Sequence, residues 1–482
     1  MRFNIILKYI GFVLLLDAIF MLLSALVSLA YSADSALFPL LLSAGLTGTL
    51  GIFPFIFVRE RGELNTKESY VIIVGAWLVS CVVGMFPYLL WGGEFSFCNA
   101  WYEAVSGFTA TGSTILNNVE ALPHGLLFWR SSTSWLGGVG VVMFTLLVLP
   151  TLGRRYKSSI SKTELSPLAR ENFRYRTQKI VMILLVVYVG MTIMESVLLR
   201  IAGMSWFDGI NTAMSNIATG GFSIKNNSIA YWNSGWIDAI VTFFMVVAGM
   251  HFGLIFATVT GKSKNIFNTE VSRYYLTALA VITLIITVTL WLNHCYGTFW
   301  EALRHSSFQV AAYGSTTGFA TADANLWPPL AMVLLIFLSI QCGCAGSTSG
   351  GLKADRIWLA LKAVRVGLQR QRHPNAVIHV RIDNVVQEEA VVNGVLLFIF
   401  IYLVTMLLGT VTLTIAGEDI TTAFTASVAG IGNVGTGFGK IGSMNNYAGM
   451  STFVKSFQPL LMLLGRLEIF GLIHFFMLKW WR

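Results

Sequence analysis

Four short strings of threonine, serine and glycine recur along the chain: Ala110-Thr-Gly-Ser-Thr114, Thr219-Gly-Gly-Phe-Ser223, Thr316-Thr-Gly-Phe-Ala320 and Asn433-Val-Gly-Thr-Gly437. None carries a nucleophile beside a base or a metal-ligating cluster, so their chemistry is that of the backbone. A narrow pore strips an ion of water by offering carbonyl oxygens in its place, and glycine lets a chain turn those carbonyls toward one axis. The strings are therefore candidate quarters of a cation selectivity filter, with Ala110, Thr111, Gly112, Ser113, Thr219, Gly220, Gly221, Phe222, Thr316, Thr317, Gly318, Phe319, Asn433, Val434, Gly435 and Thr436 as coordinating positions.

Each string needs an element to aim it. The segments before them, Phe97–Ser106, Phe207–Ser215, Phe299–Phe308 and Ile420–Ser427, are too short and too polar to cross a bilayer, as expected of re-entrant half-helices. Their C-terminal ends carry partial negative charge of about half an elementary unit, and four such ends meeting on one axis favour a cation. Acidic residues stand at or near each start: Glu94, Asp208, Glu301 and Asp419. Two roles are open to them, helix capping or attraction of cations to a vestibule.

The rest of the chain is membrane protein. Of 482 residues 55% are hydrophobic and 11% charged, and the mean hydropathy is +0.70, too apolar for a soluble protein of several domains. Apolar stretches long enough to span begin near Ile5, Leu37, Tyr70, Leu126, Ile180, Trp236, Tyr274, Leu330, Ala390 and Phe453, ten candidate transmembrane helices at about 20 residues each. The first is too long for the apolar core of a signal peptide and reads as a retained helix.

The net charge of +9 does not point to nucleic acid, because the basic residues gather in alternate loops, Arg154–Lys179 and Lys353–Arg381, with Arg59, Arg61 and Lys67 after the second stretch. The positive-inside rule puts these loops and both termini, with Lys479 and Arg482, in the cytoplasm. Their roles as topology signals, as contacts for anionic lipid or as a docking surface all remain open. Five scattered cysteines form neither a metal array nor a disulfide framework.

After two opening stretches the order span, half-helix, string, span occurs four times, the anchoring glycines lying about 100 to 120 residues apart. The expected fold is an all-α integral membrane protein: a two-helix domain at 1–66, then pore repeats at 67–153, 175–262, 271–372 and 385–482. The third repeat's second span is interrupted by Gly343-Cys-Ala-Gly-Ser-Thr-Ser-Gly-Gly351, in which every residue from Gly346 to Gly351 is Gly, Ser or Thr. Such a run unwinds a helix, although small residues also serve close helix packing. Trp135–Gly140 and Ala248–Gly253 read as glycine packing faces, and the intramembrane His251 as a packing histidine or a proton site. Arg466 lies inside the last apolar stretch, where a charge requires a partner or water. Glu468, two residues on, cannot face it along one helix. Arg466 is either part of a buried ion pair or a positive barrier below the strings.

The four strings, together with Gly343–Lys353 and Leu464-Gly-Arg-Leu-Glu-Ile-Phe470, resemble the TrkH/KtrB branch of the Trk/Ktr/HKT potassium transport proteins over essentially the whole chain. The resemblance implies a potassium uptake protein of the bacterial inner membrane, a homodimer with one pore per subunit, regulated by a cytoplasmic nucleotide-binding subunit of the TrkA/KtrA type. It implies potassium as cargo, no organic cofactor, no nucleic-acid partner and no enzymatic activity. It further implies gating by Gly343, Gly346, Ser347, Thr348, Ser349, Gly350, Gly351, Lys353, Arg466 and Glu468. In that family the filter glycine supports potassium selectivity, and plant relatives with serine in the first repeat favour sodium; here all four positions are glycine. The second string departs from the first in carrying Gly220 at the position of Thr111, so the four quarters are unequal. A less selective or ion-coupled sodium/potassium pathway, including symport, is the alternative. A secondary transporter for a small organic solute would show two similar halves rather than four quarters.

Overall fold

In the computed structural model, residues 2–58, 66–148, 177–261 and 265–469 are described. Much of the first long basic segment, residues 154–176, lies outside them, as do Arg59, Arg61, Phe470, Lys479 and Arg482.

Two antiparallel helices open the chain, α1 (Phe3–Ala30) and α2 (Leu37–Phe57). They cross at Gly11 and Gly51, where a Cβ on either residue would meet the other's carbonyl oxygen, at 2.7 Å from Gly11 and 3.0 Å from Gly51. Lipid supplies no hydrophobic drive to pair two apolar rods, and close backbone approach through small residues takes its place.

Four repeats follow. The first is α3 (Thr66–Gly84), α4 (Phe86–Trp91), the half-helix α5 (Phe97–Phe108) and α6 (His124–Val148). The second is α7 (Thr177–Ile201), the half-helix α8 (Trp206–Ile217), α9 (Gly235–Ala248) and α10 (Phe252–Val259). The third is α11 (Glu270–Leu292), the half-helix α12 (Phe299–Gly314), α13 (Pro329–Gln341) and α14 (Ala354–Arg372). The fourth is α15 (Glu389–Ile415), the half-helix α16 (Ile420–Gly432) and α17 (Thr452–Arg466). A short 3-10 turn follows every string, at Val119–Ala121, Ser228–Trp232, Ala324–Leu326 and Gly439–Ile441. A hairpin of two two-residue strands, Arg381–Ile382 with Val385–Val386, is the only β-sheet among the described residues.

Among the described residues six helices are long and apolar enough to cross a membrane, and the pair α9 and α10, bent by 107°, makes a seventh when counted as one span. Ala248–Gly253 therefore breaks the span as well as packing it, with Gly249 against the Tyr275 hydroxyl. His251 sits in the break, where its Nδ1 accepts the Gly253 N–H at 3.0 Å and so caps α10. In the third repeat α13 stops at Gln341 and α14 starts at Ala354, so residues 342–353 cross as irregular backbone.

The half-helix starts are capped alike. The side chains of Ser96, Ser205, Thr298 and Asp419 each accept the N–H three residues on, from Asn99, Asp208, Glu301 and Thr422. Hydroxyls therefore cap three of the four, with Asp208 and Glu301 at the third helical position, and only Asp419 is itself a cap. The Thr422 side chain and N–H hold the Asp419 carboxyl below the usual carboxylate range. Glu94 instead ties the loop, accepting from the Asn117 N–H at 3.1 Å.

Four of the basic residues in the second long basic segment are neutralised within the fold: Lys353 and Arg356 by Glu468, Lys362 by Glu270 and Arg370 by Glu389. All five cysteines are free thiols.

Candidate functional site: four strings on one axis

Every string leaves its half-helix by the same pair of hydrogen bonds. Ala110, Thr219, Thr316 and Asn433 donate their N–H to the carbonyl three residues back, and Thr111, Gly220, Thr317 and Val434 donate to the carbonyl five residues back. The first residue of each set is left-handed, with φ of 49°, 52°, 65° and 54°, as a helix-terminating motif demands. Glycine or asparagine usually occupies that position, and only Asn433 conforms. Alanine and the two threonines carry a cost of about 1–2 kcal/mol each, which persists because the surrounding backbone over-determines the turn.

Two residues on, Gly112, Gly221, Gly318 and Gly435 are left-handed again, while the residue between is not. Alternating handedness sends successive N–H groups to one side of a chain and carbonyls to the other.

The glycines also fix how the strings meet. A Cβ on Gly112 would fall on the Gly220 carbonyl oxygen, one on Gly221 on the Thr317 oxygen, one on Gly318 on the Val434 oxygen, and one on Gly435 on the Thr111 oxygen. The contacts run from string one to two, two to three, three to four and back to one. Sixteen residues from four distant parts of the sequence thus form one closed ring.

The quarters differ in how they are buttressed. Where the first string has Thr111, bonded to Thr109 and Asn433, the second has Gly220, and the Ser134 side chain of α6 fills the space a side chain would need there. Behind the first string stands a pair that sequence reading missed. Glu103 on α5 and Arg130 on α6 meet at 2.7 Å with both side chains buried. Glu103 also accepts from Thr114 and the Ile115 N–H, and Arg130 donates to the Ser223 carbonyl and lies 4.2 Å from the Phe222 ring centre. The pair therefore binds the first string to the second. The only signal in the sequence was two charges in weakly polar helices 27 residues apart.

The irregular segment 342–353 packs against the strings. Thr348 Oγ1 donates to the Ile217 carbonyl at 3.0 Å, Ser349 Oγ meets Thr316 Oγ1 at 3.1 Å, and the Gly350 N–H donates to Thr316 Oγ1 at 3.1 Å. Gly350 abuts Asn433 and the Gly432 carbonyl, Gly346 abuts the His251 ring, and Gly343 abuts the Gly249 carbonyl. Ser347 folds back on the Cys344 carbonyl, and Gly351 covers the Cys342 thiol. Both broken spans therefore meet here, the Cys344 N–H donating to Gly249 at 2.7 Å and the Phe252 N–H to Gly346 at 3.1 Å.

The end of α17 holds this segment from two sides. Arg466 is 6% exposed, with no carboxylate partner among the described residues; it donates to the Thr348 carbonyl at 2.7 Å and the Gly137 carbonyl at 3.2 Å. Glu468 turns away from it and pairs with Arg356 and, at 3.4 Å, with Lys353, where the segment returns to helix.

Four repeated half-helices, a closed ring of glycine strings and an irregular strap beneath it make an arrangement for passing an ion along a backbone-lined axis. Comparison with known proteins agrees. A family model described as "TrkH: Cation transport protein" matches residues 51–480. This chain belongs to the TrkH cation transport family. It is similar to the Trk system potassium uptake protein TrkH of Salmonella typhimurium, 32% identical over all of both chains, and to TrkI of Halomonas elongata, 30% identical over 100% of this chain and 97% of the relative. The crystal structure of the potassium transporter TrkH from Vibrio parahaemolyticus superposes with a TM-score of 0.90 at 30% identity, covering all of both chains.

The native thiols Cys342 and Cys344 report on the strap. Both are buried, whereas Cys98 is partly exposed and Cys295 exposed. Arg466→Ala, which removes both carbonyl contacts, is expected to speed labelling of Cys344 by a thiol reagent about tenfold, the equivalent of ~1.4 kcal/mol lost from the closed strap. Peptide mass spectrometry reads the rate, with Cys81 in α3 as the unlabelled folding control. Unchanged Cys344 labelling would show that Arg466 does not hold the strap.

Proposed function

We propose that this TrkH-family chain is the ion-conducting subunit of a bacterial potassium uptake system in the inner membrane, with both termini cytoplasmic. The closed ring of four glycine strings carries the reading, and the printed names of the full-length relatives support the choice of ion. Carbonyls of residues 110–113, 219–222, 316–319 and 433–436 coordinate dehydrated potassium, each set within its own repeat in the division 67–153, 175–262, 271–372 and 385–482. Inward-negative voltage contributes about 2.3 kcal/mol per 100 mV for each monovalent cation, enough to drive accumulation.

The segment 343–351 obstructs the axis below the ring until Arg466 releases it, and Lys353 and Glu468 hold its other end. Two such subunits form a homodimer, each with its own pore. A cytoplasmic nucleotide-binding subunit of the TrkA/KtrA type acts on the cytoplasmic basic segments. The ring has no ionisable side chain among its sixteen positions, which supports permeation of the bare ion over a proton-coupled filter.

A sodium-permeable pathway is the second reading, and the unequal second quarter, with Ser134 filling the Gly220 position, is the observation that favours it.

Purified protein in liposomes, with flux measured in potassium, rubidium, sodium and lithium gradients, separates the two. Potassium and rubidium flux well above sodium and lithium is expected, and equal potassium and sodium flux would defeat the selective reading. Gly112→Ser drives a Cβ onto the Gly220 carbonyl, and is expected to lower the potassium-to-sodium flux ratio about tenfold, ~1.4 kcal/mol of discrimination. An unaltered ratio would remove the first string from the filter.

A further inference from the structure

A crevice of about 390 Å³ opens on the outside of the molecule between the two-helix domain and the first two repeats. Its walls include Phe20 of α1, Trp135 of α6, Ile193 and Val197 of α7, and Trp206 and Met214 of α8. The volume falls in the range of small-molecule sites. Ile193 and Trp206 are 60% and 54% exposed, and α7 is long and apolar enough to cross a membrane. The polar groups near its floor are satisfied internally, Trp135 Nε1 donating to Thr192 Oγ1 at 3.2 Å and Ser196 Oγ to the Thr192 carbonyl at 2.7 Å. Nothing in the crevice asks for a polar ligand.

Its rim does. Arg200 lies one turn beyond Val197, in the last turn of α7, at the end of the molecule where the half-helices begin. It is exposed, its Nη1 donates to the Met204 carbonyl at 3.1 Å, and its guanidinium lies 6.0 Å from the Trp206 ring centre. Among the described residues no carboxylate pairs with it. A guanidinium stacked toward tryptophan, with free N–H groups at helix-end depth, is a donor set for a phosphate at the membrane interface.

We propose that this crevice is a phospholipid site: one acyl chain of a lipid from the surrounding bilayer fills the groove, and its headgroup phosphate binds Arg200. The two parts lie one helical turn apart on α7, in the order that a phospholipid presents them. A chain in the groove touches Met214, whose carbonyl accepts the Ala218 N–H immediately before the second string. The lipid would thereby brace the half-helix that aims Thr219–Phe222.

Native mass spectrometry of the full-length detergent-purified protein, titrated with phosphatidylglycerol and with a diacylglycerol of the same chains, tests both halves. Arg200→Gln is expected to weaken phosphatidylglycerol about tenfold, the worth of a charge-assisted hydrogen bond, and to leave diacylglycerol unchanged. Val197→Trp, which fills the groove, is expected to weaken both. Equal retention of phosphatidylglycerol by the unmodified protein and Arg200→Gln would overturn the headgroup assignment without reliance on the bulkier variant. Loss of dimer mass in Val197→Trp, with lipid binding unchanged, would assign the groove to a second copy and overturn the proposal.

Discussion

The rest of the structure depends on the passage of each string's backbone against its neighbour's carbonyl oxygen. At Gly112, Gly221, Gly318 and Gly435 there is no room for a single methyl group, and the backbone is left-handed. Either condition alone favours glycine, and together they exclude every other residue without movement of the adjoining string. Because the contacts close into a circuit, a shift in one quarter is passed to the next. The half-helices, their caps and the identical hydrogen-bond pair at each exit all bring four backbones to that distance.

The strap beneath inherits the same geometry. Gly350 fits because it abuts the Gly432 carbonyl, and Thr316, the left-handed first residue of the third string, turns its hydroxyl to Ser349 and Gly350. The strap is thus continuous with the ring through hydrogen bonds, and α17 holds it by a charge that no carboxylate pairs with among the described residues. An arginine bonded only to carbonyls remains fully cationic, so the group that would fasten the strap would also repel a cation on the axis. Glu468 divides the work by neutralising Lys353 and Arg356 at the other end. Both ends of the strap are thus fastened, the Lys353 end by a partly buried ion pair and the Arg466 end by two hydrogen bonds to carbonyls.

Most of this architecture was legible because the informative residues are local. A glycine string after a short polar helix, or six consecutive small residues inside an apolar span, declares itself within a dozen positions. What escaped were the features made across the fold. The break at Gly249-Met-His251 looks like any glycine-containing span, because the residue that makes it work, His251, caps α10 with its own ring. The Glu103–Arg130 pair joins two helices whose contact is set by the first string's path. Of the two roles open to the acidic residues, only Asp419 is itself a cap; a hydroxyl caps the other three half-helices, three residues before Asp208 and Glu301 and two residues after Glu94. Of the two readings of Arg466, the buried ion pair is replaced by bonds to the Thr348 and Gly137 carbonyls, partners that charge patterns do not announce.

Crystals of the full-length protein grown in rubidium, with anomalous diffraction recorded at the rubidium edge, give the most direct measurement. We expect peaks strung along the axis between the carbonyls of residues 110–113, 219–222, 316–319 and 433–436, lost when sodium replaces rubidium. Rubidium density away from that axis, with none between the strings, would contradict a carbonyl filter built by the four glycines.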